Sequence, residues 1–273
     1  MSRYTVRHTV AGRPAGHAPT AVLTDDHSGG WRPLTWLGAP APGGLALPQA
    51  TPSMSWMYSP RGVFVDDRHV VVADSGNHRV LIWHGIPQVD EQPADVVLGQ
   101  PSPSAREENR GEAAGPASFR WPHAITGTPE LLLVADAGDH RVLGWAPHPG
   151  ADRPANTVLG QADFVTAQEW PYGPHTGDRF RFPYAVDLDG DVLVVADTAN
   201  NRVLVWDGLP EEPLGGRPAD HVLAQPDFAS NGENRWALVG RDTLCWPYGL
   251  SLHGNLLAVA DSGNNRVMLW RRS

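Results

Sequence analysis

Val72-Ala73-Asp74-Ser75-Gly76-Asn77-His78-Arg79-Val80-Leu81-Ile82-Trp83 decides how the chain is read, because the pattern returns three more times. It recurs as VADAGDHRVLGW over 134–145, VADTANNRVLVW over 195–206 and VADSGNNRVMLW over 259–270. The aspartates Asp74, Asp136, Asp197 and Asp261 therefore stand 62, 61 and 64 residues apart. Self-similarity at a fixed period on this scale marks a repeat architecture. Within each copy, apolar residues lead to the aspartate, a polar turn follows, and a second apolar run ends in tryptophan. That order predicts a β-hairpin, with Gly76, Gly138 and Gly263 expected to supply permissive backbone and Ala199 standing in the remaining copy. Each aspartate is expected to accept N–H groups of its own turn, and Arg79, Arg141, Arg202 and Arg266 to reach back across it. A residue needed once for chemistry is seldom needed four times. Asp74, Asp136, Asp197 and Asp261 are accordingly read as structural, and a ring of metal-binding carboxylates is the lesser alternative.

Working outward, each full copy carries two further apolar runs. One follows a proline, as in Gly62-Val63-Phe64-Val65, and the other is the element Pro93-Ala94-Asp95-Val96-Val97-Leu98-Gly99-Gln100, repeated over 154–161 and 218–225. Four short antiparallel strands per copy, separated by turn residues, describe a propeller blade. Residues 58–118, 119–181 and 182–245 form full repeats, 246–273 a last repeat of three strands, and 1–57 a degenerate first repeat with its loop. In that first repeat Gly12 stands where the aspartate belongs, and Arg32 to Gly38 is a shortened version of the fourth strand. The expectation is one all-β domain over 1–273, a five-bladed propeller with an irregular N-terminal blade and a ring closed by the two termini.

The Val-Ala-Asp-Ser-Gly-Asn-His-Arg-Val core, with its preceding Pro-x-Gly strand, resembles the NHL repeat of β-propellers. The Pro-Ala-Asp-x-Val-Leu-Gly-Gln strand is similar to that of a long bacterial variant. The resemblance covers 58–273 well and 1–40 poorly. It implies a fold used by scaffolds, by RNA-binding modules and by a few enzymes, a zinc-dependent amidating lyase among them. Resemblance to NHL proteins that accompany nickel–iron hydrogenases implies an assembly or attachment role beside such an enzyme.

Composition narrows the function. The net charge is −9, and all 21 basic residues are arginine. A Schiff-base lysine and a phosphate-loop lysine are thereby excluded, and the acidic balance argues against DNA and weakens RNA as a partner. The single cysteine, Cys245, allows neither an intrachain disulfide nor a Cys-based zinc site. Nothing reads as a signal peptide or a membrane span, so the expectation is a cytoplasmic protein.

Two regions remain for chemistry or recognition. The residue after each blade-opening proline is expected at the mouth of the central channel: Arg61, His123, Tyr184 and Tyr248. That set suits a small polar or anionic ligand. It also admits a lyase or hydrolase, with His123 as acid–base or metal ligand, Arg61 as anion clamp and Tyr184 or Tyr248 as proton donor. A catalytic zinc needs about three protein ligands and this ring offers one histidine, so no metal is assigned. The second region is the set of inter-blade loops over 40–58, 101–119, 162–182 and 226–246, each about 20 residues long and individual in sequence. They share a face with the aspartate turns. Trp170, Trp236, Arg106 and Arg235 are the candidates there for contact with a protein partner. The leading expectation is a binding or assembly module, the rival an enzyme or ligand site at the channel mouth; no cofactor is assigned.

Overall fold

The computed structural model describes residues 34–38, 51–169, 175–209 and 216–272. Among the described residues the strands form four antiparallel sheets in which each strand pairs with its sequence neighbour. Blade one holds β1 (Pro60–Val65), β2 (His69–Asp74), β3 (Arg79–His84) and β4 (Val96–Leu98). Blade two holds β5 (Pro122–Thr128), β6 (Leu131–Asp136), β7 (Arg141–Trp145) and β8 (Thr157–Leu159). Blade three holds β9 (Pro183–Asp189), β10 (Val192–Asp197), β11 (Arg202–Asp207) and β12 (His221–Leu223). Blade four has only β13 (Pro247–His253), β14 (Leu256–Asp261) and β15 (Arg266–Arg271). The first strands, β1, β5, β9 and β13, contact one another in succession, so the blades fan around an axis lined by their innermost strands. This is a β-propeller.

The middle strands explain the near-continuous apolar runs of the repeat. In blades one to three each is covered on both faces, so both sets of alternating side chains must be apolar. Val71, Ala73, Val80 and Ile82 of blade one meet Leu132, Val134, Leu143 and Trp145 of blade two. Leu133 and Val142 then meet Leu193, Leu204 and Trp206, and Val192, Val194 and Val203 meet Leu257 and Val259. Trp83, Trp145 and Trp206 are fully buried, and their indole N–H groups donate to Gln92 O, Arg153 O and Arg217 O in the links to the fourth strands. Trp270, on the three-stranded blade, is only half-buried. The fourth strand is shorter than the sequence suggests. It stops before Gly99 and Gly160, which take φ of +95° and +86°, values that suit a residue without Cβ.

Thr35, Trp36 and Leu37 sit against blade one. Thr35 Oγ1 donates to Asp90 Oδ1 (2.8 Å), Glu91 N donates to Trp36 O (2.9 Å), and Leu37 packs near Val72 and Trp83. Gly99 stands in the same relation to blade two, donating its N–H to Asp152 Oδ1 in the corresponding link. Among the described residues no strand pairs with the outer edge of β15. Val63 and Val65 of blade one and Val267 and Leu269 of blade four are exposed. The expected N-terminal blade and the closure of the ring turn on residues 1–33, outside the described residues.

Candidate functional site

The aspartate turn is a buried staple. Asp74 Oδ2 accepts from Asn77 Nδ2 (2.8 Å) and Arg79 Nε (2.7 Å), while Oδ1 accepts from Tyr58 N (2.7 Å). The Oδ1 partner lies 16 residues upstream in every copy: Arg120 N for Asp136, Arg181 N for Asp197 and Cys245 N for Asp261. The expected acceptance from the turn's own N–H groups is thus corrected. The carboxylate holds the loop that enters the blade. The arginines reach further still. Arg141 Nη2 donates to Gly115 O and Ser118 O before its blade, and Nη1 to Phe164 O after it. Arg79 and Arg202 do the same, whereas Arg266 holds only the preceding loop, through Gly240 O and Thr243 O.

The turn glycines also act differently from expectation. The left-handed residues are His78, His140, Asn201 and Asn265, with φ of 53° to 56°. Gly76, Gly138 and Gly263 instead donate their N–H groups to Tyr58 O, Arg120 O and Cys245 O, and a Cβ on Gly138 would lie 2.5 Å from Arg120 O. Close approach, not positive φ, favours glycine there, and Ala199 makes the same bond to Arg181 O from a slightly longer 3.1 Å. His78 Nδ1 and His140 Nδ1 accept the N–H of Trp121 and Phe182, and Asn201 Oδ1 accepts that of Trp246, tying each turn to the next blade. Burial pushes the His140 imidazole down to about 4.

Behind these staples lies the channel mouth. In every blade the ladder slips just after the opening proline, as between Pro122↔Asp136 and Ala124↔Ala135, and the extra residue is Arg61, His123, Tyr184 or Tyr248. A bulge of this kind re-aims a side chain. The four converge on one cavity of about 430 Å³, which Tyr58 and Trp121 also line. Tyr184 stacks on Tyr248 with ring centroids 5.1 Å apart, and His123 lies 4.5 Å from Tyr184. His123 Nδ1 is 2.8 Å from Tyr184 O, a pure acceptor, so Nδ1 carries the proton and Nε2 is left bare. Burial holds the His123 imidazole below its usual range; the Tyr184 carbonyl opposes this and Arg61 adds to it. Burial and Tyr248 raise the Tyr184 phenol, and Arg61 lowers it. No carboxylate is among the described residues lining this cavity. A guanidinium, a neutral imidazole and stacked rings suit a planar or anionic group.

On the loop face, Trp170 lies outside the described residues. Arg106 is exposed. Arg235 is held by its own loop and by the end of blade three: Nη1 donates to Asp242 Oδ2 (2.6 Å), Nη2 to Asp242 O and Nε to Ala224 O. Trp236 is 80% exposed, and Leu238 beside it 90%. Sequence reasoning missed Leu238 and Val239, and it missed the turn that presents them. Asn234, Arg235 and Trp236 are consecutive left-handed residues, with φ of 50°, 58° and 57°. The signal was present as Glu-Asn-Arg at 108–110 and again at 233–235, where Asn109, Arg110 and Gly111 make the same turn. Cys245 is buried, its thiol pushed up chiefly by burial.

Residues 57–83 match the NHL repeat family. Comparison with curated proteins finds no match. Among solved structures, the chain is similar to the computationally designed Ika4 protein at 11% identity and a TM-score of 0.43, covering 89% of this chain and 99% of that one. A putative 6-phosphogluconolactonase from Bacteroides uniformis is similar at 14% identity and a TM-score of 0.48, over 78% of this chain and 50% of that one. The WD40 propeller domain of Doa1 is similar at 14% identity and a TM-score of 0.41, over 78% and 51%. The chain thus spans about half the length of the last two.

Proposed function

We propose that this NHL-repeat β-propeller is a protein-binding and assembly module whose partner docks on the loop face, with Trp236 at the centre of the contact. One observation carries the reading. A left-handed backbone costs a bulky residue about 1 kcal/mol or more relative to glycine, and at this position the cost brings Trp236 into solvent, not into a core. Leu238 and Val239 extend the same exposed apolar surface. Tryptophan is the residue type most enriched at the energetic centres of interfaces. Among the described residues no helix is long and apolar enough to cross a membrane.

The finer reading, an accessory of a larger enzyme such as a nickel–iron hydrogenase, rests on resemblance and is decided by what co-purifies. Capture from the native host, with wild type beside Trp236→Ala, is the test. A partner enriched by wild type and lost with Trp236→Ala supports the reading. Equal capture by both removes Trp236 from the interface.

The channel mouth favours a second reading, a site for a small anionic or planar ligand, because Arg61, His123, Tyr184 and Tyr248 meet on one cavity. In its enzymatic form, a lyase or hydrolase, His123 Nε2 is the proton acceptor and Arg61 the anion clamp. The depressed basicity of His123 favours binding over general-base work at neutral pH. A ligand screen by thermal shift, repeated on Arg61→Ala, separates this reading from the first.

A further inference from the structure

The face opposite the loops carries a cluster that the repeat does not explain. His69 opens β2 at the position where the other blades place Leu131, Val192 and Leu256. Its Nδ1 lies 3.2 Å from Asp66 Oδ1 and 3.3 Å from Oδ2, and both side chains are largely buried. His148, from the link after β7 in blade two, stacks on His69 with ring centroids 4.1 Å apart. One ligand atom from each of Asp66, His69 and His148 lies within 4.8 Å of the others.

Each group also has a purely structural use. Asp66 Oδ1 accepts from Arg68 N and His69 N and so closes its own turn. That use leaves one atom unexplained. His148 Nε2 faces two carbonyl oxygens, Thr128 O at 2.7 Å and Leu131 O at 3.1 Å, and must be the protonated nitrogen. Its Nδ1 is then an unprotonated lone pair, buried and without a hydrogen-bond partner. A buried acceptor left unmatched is costly, and a cation is the partner such a lone pair takes when no donor is near. Backbone carbonyls on the far nitrogen are also what orients a metal-binding histidine.

We propose that Asp66, His69 and His148 bind one divalent transition-metal ion of the zinc class, clamping blade one to blade two on the face away from the loops. Two imidazoles and a carboxylate suit that class. Ligand atoms bound tetrahedrally at about 2.0–2.2 Å sit roughly 3.3–3.6 Å apart. The Asp66–His69 pair already meets that spacing, and binding the ion requires His148 to turn out of its parallel stack on His69 so that its Nδ1 lone pair points at the shared position. Asp66 Oδ2, free of the turn bonds, is the carboxylate oxygen for the ion, and the fourth position is left for water.

The test uses the full chain produced without a histidine tag, stripped with a chelator and titrated with Zn²⁺ by calorimetry and with Co²⁺ by visible ligand-field absorption. One ion per chain is expected. His69→Leu, which installs the residue type found in blades two and four, should weaken binding at least 100-fold, as should His148→Gln. Asp66→Asn retains an acceptor for the turn and should weaken binding about tenfold or more while the chain stays folded by circular dichroism. His221→Gln, on the edge of blade three, should change nothing. No saturable binding at micromolar metal overturns the proposal. So does an affinity that all three site variants leave unchanged, or one that His221→Gln reduces as much as they do.

Discussion

Loops 101–119 and 226–246 fold around the same left-handed turn and differ in what they do with it. In the first, Asn109 donates to Asp139 Oδ1 and accepts from Ser118 Oγ; in the second, Asn234 donates to Asn264 Oδ1 and accepts from Thr243 Oγ1. Both asparagines are thus pinned to the aspartate turn beneath. Beyond that the loops diverge. Arg110 ties the first outward to Asp152 of blade two, and the third left-handed position is Gly111. Arg235 turns back to Asp242 of its own loop, the three-stranded blade four offers no such link among the described residues, and the third position is Trp236. One frame therefore supports a tied, quiet loop and a free one that displays an aromatic. An exposed aromatic has been added to the turn at a single residue, without changing the turn.

The largest expected effect lies in the frame. Asp136→Ala takes from a fully buried Arg141 the carboxylate on its Nε and leaves it Asp139 Oδ2 at 3.3 Å, which should cost about 3 kcal/mol in urea denaturation. Asp261→Ala should cost clearly less, because Arg266 is 27% exposed and water can take up the loss. Equal losses would mean that the two loops are not held differently.

Trp236→Ala should weaken the partner complex by about 2 kcal/mol, roughly thirtyfold, with the fold intact. Trp236→Gly should lose the same affinity and gain about 0.5–1 kcal/mol of stability by relieving the left-handed residue. Opposite signs for binding and stability sharpen the comparison. A Trp236→Gly variant less stable than wild type would show that the indole is packing and not display.

The converse swap, Gly111→Trp, should cost about 1 kcal/mol in thermal unfolding and create no affinity for the partner. Binding gained there would make the tryptophan sufficient and the surrounding loop irrelevant.

The smallest effect concerns the residue beneath each loop, His78 under the first and Asn201 under the second, which accept equivalent N–H groups from Trp121 and Trp246. Burial lowers the basicity of His78, with Glu108 opposing. A depressed folded-state pKa means that the unfolded chain binds the proton more readily. The contribution of His78 is therefore present at neutral pH and lost as pH falls through about 6.5 toward the folded value. His78→Asn should leave neutral stability nearly unchanged and flatten that acid limb. Unfolding curves between neutral and mildly acidic pH would show it.

Strands, blade order and the positions of the four bulged residues were legible in the sequence because each depends on local pattern. Two-sided burial demands apolar runs around Asp74 and Asp136, and a proline fixes where the bulged residues Arg61 and His123 fall. The sign of a backbone angle is not local in that way. His78 is left-handed where its Nδ1 takes the N–H of Trp121 from the next blade, and Trp236 where Asn234 is pinned to Asn264 and Thr243, so neither angle is set by its own residue type. The upstream N–H taken by each aspartate was hidden for the same reason. His69 and His148 fall in separate blades, and His148 comes from a link outside the repeated motifs, so no periodicity could bring them together. Trp170 remains an expectation outside the described residues.

The guanidinium staples have a mechanical consequence. Arg79 joins loop 51–59 to loop 101–119, Arg141 joins that loop to 162–182, and Arg202 joins the next to 226–246. The loops are thus links of a belt laid over the face, coupled in series through charges that are buried and not free to swing. Tension applied at one link is felt by its neighbour before it reaches the strands. Amide exchange in loop 162–182 should therefore respond when only loop 226–246 is engaged.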